Sequence, residues 1–268
     1  MTKDERKDAY TRMAREINLL CKDAPAETHV IALSGGKDST ALALRLAEVE
    51  PRDYTYLITP TGDELPEMIA HWEKLERLLG KPLTRITNGT LNSWITHFGA
   101  LPNWRQRWCT RLLKIEPCLA YLKSIHPATL YVGLRADEEE RKGIYSNDVT
   151  CRFPLREWGW GMTEVVGYLK ERGVSIPKRT DCARCYGQRL AEWRQLWAKY
   201  PTLYAEAEQQ ETEIGATFRS PGRDSMPAPL IQLRAEFEAD KAAKDAQLIL
   251  FEAEFCDDEK GACRVCSL

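Results

Sequence analysis

No apolar run in the chain approaches the ~20 residues that a membrane-spanning helix needs, so neither a span nor a membrane partner is expected. The first residues, MTKDERKDAY, are charged and lack an apolar core, so no export leader is expected and the cytoplasm is the anticipated compartment. Internal repeats are absent as well, which sets aside solenoids and propellers. One long stretch lacks charge of one sign. Between Arg77 and Ile115 there is no Asp or Glu, yet Arg77, Lys81, Arg85, Arg105, Arg107, Arg111 and Lys114 all fall there. The net charge of −2 hides this polarity, because Glu236 to Lys260 is rich in carboxylates. The acid-free stretch reads either as a surface for the phosphates of a nucleotide or nucleic acid, or as a solvated basic face.

What is present is the composition of a globular protein: 268 residues, 43% hydrophobic and 29% charged. That length allows one substantial domain with an appendage. The division we expect is a nucleotide-binding domain over 1–187 and a helical extension with a Cys-rich tail over 188–268. Nine cysteines in a cytoplasmic chain point to metal or redox chemistry before structural disulfides.

The chain is organised around His29 to Leu46. Val30-Ile31-Ala32-Leu33 reads as a buried parallel strand, and Ala41 to Leu46 as a helix of strong helix formers. Between them lies Ser34-Gly35-Gly36-Lys37-Asp38-Ser39-Thr40. Glycines let the backbone approach a phosphate, and unpaired N–H groups at a helix start face it. Lys37 adds a cation, Ser39 and Thr40 add hydroxyls, and Asp38 is placed to hold Mg²⁺. The spacing is neither Gly-x4-Gly-Lys-Ser/Thr nor Gly-x-Gly-x-x-Gly.

This loop resembles the PP-loop of the ATP pyrophosphatases, which cleave ATP between the α and β phosphates. The resemblance implies an α/β fold with a doubly wound, mostly parallel, Rossmann-like sheet and ATP as substrate. A second loop, Thr61-Gly62-Asp63-Glu64-Leu65-Pro66-Glu67, follows the strand Tyr54–Ile58 and precedes a helix from Pro66 to about Leu79. It resembles the Asp-Thr-Gly-x-x-x-Pro-Glu loop of the phosphoadenosine phosphosulfate (PAPS) reductases. Pro60 replaces the usual Asp here, and Asp63 or Glu64 is expected to supply a metal-facing carboxylate instead. A third loop matches the same family at Gly133, Arg135, Glu138 and Arg141, where the two arginines are expected to neutralise phosphate or sulfate.

Cysteines complete the resemblance. Cys109 opens a Cys-x4-Lys-x-x-Pro pattern, and Cys182-x-x-Cys185 follows a helix from about Met162 to Arg172. In adenylylsulfate reductases the corresponding positions hold a 4Fe–4S cluster. The resemblance therefore implies Cys109, Cys182 and Cys185 as ligands of such a cluster, or of Zn²⁺, with Cys151, Cys118 or a tail cysteine such as Cys266 as the fourth. A metal-free redox pair is the other reading. Between these segments, Trp104 and Trp108 interleave with Arg105, Arg107 and Arg111, a mixture that suits nucleotides and single strands alike. Gln188 to Ala216 reads as a long helix broken at Pro201, Arg219 to Pro229 as a linker, and Leu230 to Glu254 as a charged helix. Cys256, Cys263 and Cys266 close the chain without the Glu-Cys-Gly-x-His motif of PAPS reductases.

An intact pyrophosphate cradle makes the sulfur-transfer relatives the better analogy. The expected activity is ATP-dependent, adenylating sulfur transfer to a nucleic acid (DNA or tRNA) or small acceptor, with a sulfur donor or thioredoxin-like reductant as partner. Lys37, Asp38, Cys109 and Arg135 are the expected catalytic residues, and the loop from Ser34 to Thr40 with Thr61, Gly62, Gly133, Arg135, Glu138 and Arg141 the nucleotide site. The alternatives are a thiol-dependent PAPS or adenylylsulfate reductase releasing sulfite, and a binding module without catalysis.

Overall fold

A computed structural model describes residues 27–138, 140 and 149–243. The spacing of Ala9, Met13, Ile17 and Leu20 predicts an amphipathic helix over Thr2–Lys22; that segment, Arg141 and the three tail cysteines lie outside the described residues. The fold is α/β. Strand β1 (Thr28–Ala32) leads through the glycine loop into α1 (Lys37–Val49), then β2 (Tyr54–Ile58), α2 (Pro66–Leu79), β3 (Thr84–Arg85) and α3 (Leu91–Phe98). A helical turn, Trp108–Thr110, runs through a π-helical turn, Arg111–Ile115, into α4 (Glu116–Ser124). Next come β4 (Ala128–Tyr131), β5 (Thr150–Arg152), α5 (Met162–Glu171), α6 (Leu190–Lys199), α7 (Pro201–Ile214) and α8 (Leu230–Ala243).

All five strands pair in parallel, in the order β3-β2-β1-β4-β5. The chain thus winds outward from β1 to β3 and then returns to the other side of β1. The strand order reverses between β1 and β4, and ligands of such sheets sit beyond the carboxyl ends at that point. Alternating residues feed two faces. Ile31, Tyr56 and Ile58 pack with α1, α2 and α5, whereas Val30, Leu57 and Leu130 pack with Cys118 and Leu122 of α4. A further apolar cluster joins Leu91 and Ile95 of α3 to Trp193, Tyr204, Leu230 and Phe237 of the last three helices.

The break expected at Pro201 is there: Pro201 occupies the first turn of α7, and α6 and α7 share Tyr200 as a cap. Two elements differ from expectation. Arg219–Pro229 is no loose linker: Arg219 is buried, and its guanidinium meets both oxygens of Asp224 at 2.8 Å. α3 was not expected, although Thr90 and Ser93 cap it reciprocally and Gly99 ends it in the left-handed region. No described helix is long and apolar enough to cross a membrane.

Candidate functional site

The loop after β1 is built to leave a helix N-terminus open. Gly36 is the N-cap of α1, and no side chain caps it. The serines turn inward instead. Ser34 Oγ accepts from the Gly36 N–H at 3.2 Å and lies 3.0 Å from Ser39 Oγ, which also donates to the Gly36 carbonyl at 3.2 Å. Gly35 is required here. Its φ is +84°, and a Cβ would stand 2.2 Å from Met68 Cε and 2.9 Å from Trp72 Nε1. Trp72 braces the turn from α2 by donating to the Ser34 carbonyl at 3.3 Å. Gly133, at the end of β4, passes so close to α1 that a Cβ would lie 3.1 Å from the Ser39 nitrogen.

These contacts shape a cleft at the carboxyl ends of β1, β2 and β4. Ser34, Gly36, Asp38, Ser39 and Gly133 line it, over an apolar floor that includes Ala32, Leu57, Ile58 and Val132. Gly35, Lys37 and Thr40 belong to the same turn but do not line the cleft. Lys37 is buried, and that burial more than any neighbour holds its pKa below the usual lysine range; Asp38 pulls the other way.

Arg135 and Asp38 were expected to face the ligand separately, one toward phosphate and one toward Mg²⁺. The structure pairs them. Arg135 Nη1 donates to both oxygens of Asp38 at 3.1 and 3.0 Å, and Arg135 Nε donates to Asp137 at 2.8 Å. Glu138 stands 3.6 Å from the same guanidinium. Burial works against the charge of Arg135, but Asp38 and Asp137 outweigh it and raise the pKa. The group therefore sets the two cations Lys37 and Arg135 against three carboxylates. Without a nucleotide it is not a cationic hole.

The second loop also turns to its own ends. Glu64 accepts from the Thr61 N–H at 2.6 Å, the Thr61 hydroxyl at 2.7 Å and the Gly62 N–H at 3.0 Å. Thr61 consequently lines a different cavity, where its hydroxyl lies 3.3 Å from Cys182 Sγ. Asp63, expected to face a metal, is buried and accepts instead from Arg184, through the backbone N–H at 2.8 Å and Nε at 2.6 Å. The Ala183 N–H donates to the Asp63 carbonyl at 2.6 Å, and Glu64 bridges Cys182 in antiparallel fashion. A buried carboxylate thus clamps the Cys182-x-x-Cys185 turn onto the end of β2. Arg223 clamps it from behind, donating to the Gln188 carbonyl at 2.6 Å and the Gly187 carbonyl at 3.1 Å.

Cys109, Cys182 and Cys185 share this second cavity and pack around Tyr186. None of the three is in a disulfide. Cys118 and Cys151 pack together elsewhere, against α4 and the β4–β5 edge, where burial pushes their thiols up to about 12 and about 11. Among the described residues no three His, Cys, Asp or Glu side chains form a group poised to hold a metal ion. A 4Fe–4S cluster or tetrahedral zinc takes four thiolates or equivalent ligands; the trio shares a cavity without being gathered into such a set, and neither described candidate for the fourth joins it. As placed, the described residues do not complete either group.

The two cavities share a wall of Thr110, Lys114, Asp181 and Cys182. Lys114, on the π-helical turn, lines both the cleft and the cysteine cavity. Sequence reasoning placed Lys114 among the cations of the acid-free stretch and in the Cys-x4-Lys-x-x-Pro spacing but not at this wall, and it missed Thr180 and Asp181, which line the cleft just before Cys182. Their place beside the Cys-x-x-Cys pair was the available signal.

A family model for the phosphoadenosine phosphosulfate reductase domain matches residues 28–178, from β1 past α5. Two uncharacterized proteins of Methanocaldococcus jannaschii are similar. MJ0066 is 23% identical over 197 residues, covering 67% of this chain and 40% of that protein. MJ0973 is 26% identical over 190 residues, covering 65% and 45% respectively. The chain spans less than half the length of these curated relatives. A crystal structure of PAPS reductase from Candida auris, a phosphate complex, superimposes with a TM-score of 0.45 at 13% identity, over 66% of this chain and 89% of that one. That likeness is too distant to carry side chains across. On the match over 28–178, more than half of its length, the chain belongs to the phosphoadenosine phosphosulfate reductase domain family.

Proposed function

We propose that the chain is an ATP-dependent sulfur-transfer enzyme of this family, releasing pyrophosphate and acting on a nucleic acid or small acceptor. The observation that carries the reading is the shared wall: an uncapped helix N-terminus with Ser-Gly-Gly-Lys-Asp-Ser on one side and three cysteines outside any disulfide on the other. The N–H groups at the start of α1 bind the β and γ phosphates. Asp38, one carboxylate facing the cleft, suits Mg²⁺, which takes one or two carboxylates and fills its shell from phosphates and water. Arg135, relieved of Asp38 in that state, is then free to turn to the phosphates, and Lys37 adds charge from behind the loop.

In the first step an acceptor oxygen attacks the α-phosphorus, the α–β bridging P–O bond breaks, and pyrophosphate leaves. In the second, a persulfide sulfur carried on one thiol of the trio attacks the adenylated carbon; a C–S bond forms, the C–O bond breaks and AMP leaves. A second cysteine then attacks the carrier sulfur, freeing the thiolated acceptor and closing a disulfide. A dithiol reductant reopens that disulfide, and a sulfur donor reloads the carrier. Lys114 favours the thiolate that this chemistry needs.

A second reading, reduction of PAPS or adenylylsulfate to sulfite, is favoured by the family match itself. One experiment separates the two. The full chain is incubated with ATP and Mg²⁺ and, separately, with PAPS and a dithiol. Pyrophosphate from ATP supports sulfur transfer; sulfite from PAPS with no pyrophosphate from ATP overturns it. Tight binding of both nucleotides with turnover of neither favours a binding module.

A further inference from the structure

The acid-free stretch divides when the chain folds. Lys81 pairs with Asp53 and Arg85 with Glu76, so its first cations are spent on acids from outside the stretch. Arg105, Gln106, Arg107 and Arg111 are exposed, and Arg105 has no ion-pair partner among the described residues. Arg111 stands 3.6 Å from Glu116, with 63% and 49% of the two side chains in solvent, a contact of little strength. Arg107 and Arg111 rim an open groove of about 590 Å³ with Phe98 and Trp108. Beside these cations, Trp104 is 46% exposed and Phe98 43%. Trp104 meets Tyr186 at 5.2 Å between ring centroids, and Tyr186 is the ring around which the three cysteines pack. A surface of cations and rings therefore leads inward to the thiols.

We infer that this groove and the exposed Trp104–Arg105 segment next to it hold a single-stranded segment of nucleic acid, with its phosphates on Arg107 and Arg111 in the groove and on Arg105 beside it, and a base stacked on Trp104. Cations alone suit any polyanion, and rings alone suit an apolar partner. The combination suits a strand whose base faces are uncovered, which a duplex does not offer. The inference deepens the sulfur-transfer reading by naming the acceptor class, and rests on it for the chemistry that follows binding; binding itself needs no ATP.

The test titrates the full chain, without ATP, with labelled 12-mer oligouridylate and oligothymidylate, a duplex of equal length and polyglutamate. Single strands should bind at least tenfold tighter than the duplex or polyglutamate. The double variant Arg105→Glu/Arg111→Glu should lose at least tenfold and flatten the plot of log affinity against log salt by about 1.4, roughly 0.7 per lost phosphate contact. Trp104→Ala should lose about 5- to 150-fold with the salt slope unchanged, and Trp104→Phe should recover part of it. Circular dichroism checks that each variant folds. Equal binding of duplex, a preference for polyglutamate (an acidic protein as the partner), no binding, or variants that bind like the wild type would each overturn the groove. Pyrophosphate release is scored separately. If it is absent while the oligonucleotide pattern holds, the sulfur-transfer reading falls and the groove stands; if it persists while the pattern fails, the groove falls alone.

Discussion

The turn within Ser34 to Thr40 is made by hydrogen bonds between near neighbours, with Trp72 and Arg135 bracing it from outside, whereas the cysteine cavity is fastened by residues as far as 121 positions apart. The first is a local device: glycine, serine and an uncapped helix start make it wherever a strand feeds them. The second exists only once β2, the turn at Cys182 and the helices beyond it have packed. Asp63 with Arg184, and Arg223 on the carbonyls after Cys185, are its fastenings. Both regions serve one shared wall, so a loss at the remote fastenings should reach the thiols long before it reaches the phosphate loop.

The largest effect is expected at Asp63. Asp63→Ala leaves the buried Arg184 with only Gln210 at 3.2 Å and the half-exposed Glu206 at 3.6 Å, and should cost about 3–5 kcal/mol in chemical denaturation. Cys182 and Cys185 should at the same time react faster with a thiol reagent. Replacing both partners by leucine should cost less than the single change. A loss below about 1 kcal/mol for Asp63→Ala would break the contrast between local and remote support.

The remote half also carries a pH dependence. Glu211 on α7 accepts from the Phe218 and Leu230 N–H groups at 2.8 and 2.7 Å, and burial raises its pKa from 4.5 to about 7. The folded chain then binds a proton that the unfolded chain has released. Stability from this group is present below pH 4.5 and lost as pH rises through about 7. The full swing is up to about 3 kcal/mol. Denaturation of wild type and Glu211→Gln from pH 4 to 8 should show that difference shrinking toward low pH on the variant's side; parallel curves would remove the effect.

A smaller loss is expected in the phosphate loop. Gly35→Ala forces an L side chain to φ +84° and should cost about 1–2 kcal/mol. Met68 Cε can swing aside, but Trp72 Nε1, 2.9 Å from the new Cβ, is held on the Ser34 carbonyl, so adding Met68→Ala should not restore stability; recovery to wild type would mean that crowding by Met68 alone sets the cost. The smallest effect belongs to the groove. Arg105→Gln should change stability by no more than about 0.5 kcal/mol, which separates its binding role from folding.

Much of the local half was legible in the sequence. The apolar run Tyr54–Ile58 is β2 residue for residue, and Pro66 opens α2 as a first-turn proline should. β3 and β5 were not legible, because two and three residues carry no periodicity. The Arg219–Pro229 loop has the composition of a linker, and nothing in that composition says that Arg219 is buried and paired with Asp224. Asp63 and Arg135 were read as ligand-facing for the same reason. A carboxylate or guanidinium in a glycine-containing loop suggests a ligand, and nothing in the linear order says that its partner is Arg184 or Asp38. Motifs bring residues to one end of the sheet; which charges then neutralise each other is decided by packing.

The account rests on the outer phosphates of ATP being gripped at the start of α1. Calorimetric titration of the full chain with ATP, AMP and PAPS in the presence of Mg²⁺ tests this directly, on the wild type and on Lys37→Ala. ATP should bind tighter than AMP and PAPS, and the advantage should shrink at least tenfold in Lys37→Ala. Equal affinities for ATP and AMP, or PAPS binding tighter than ATP, would contradict it.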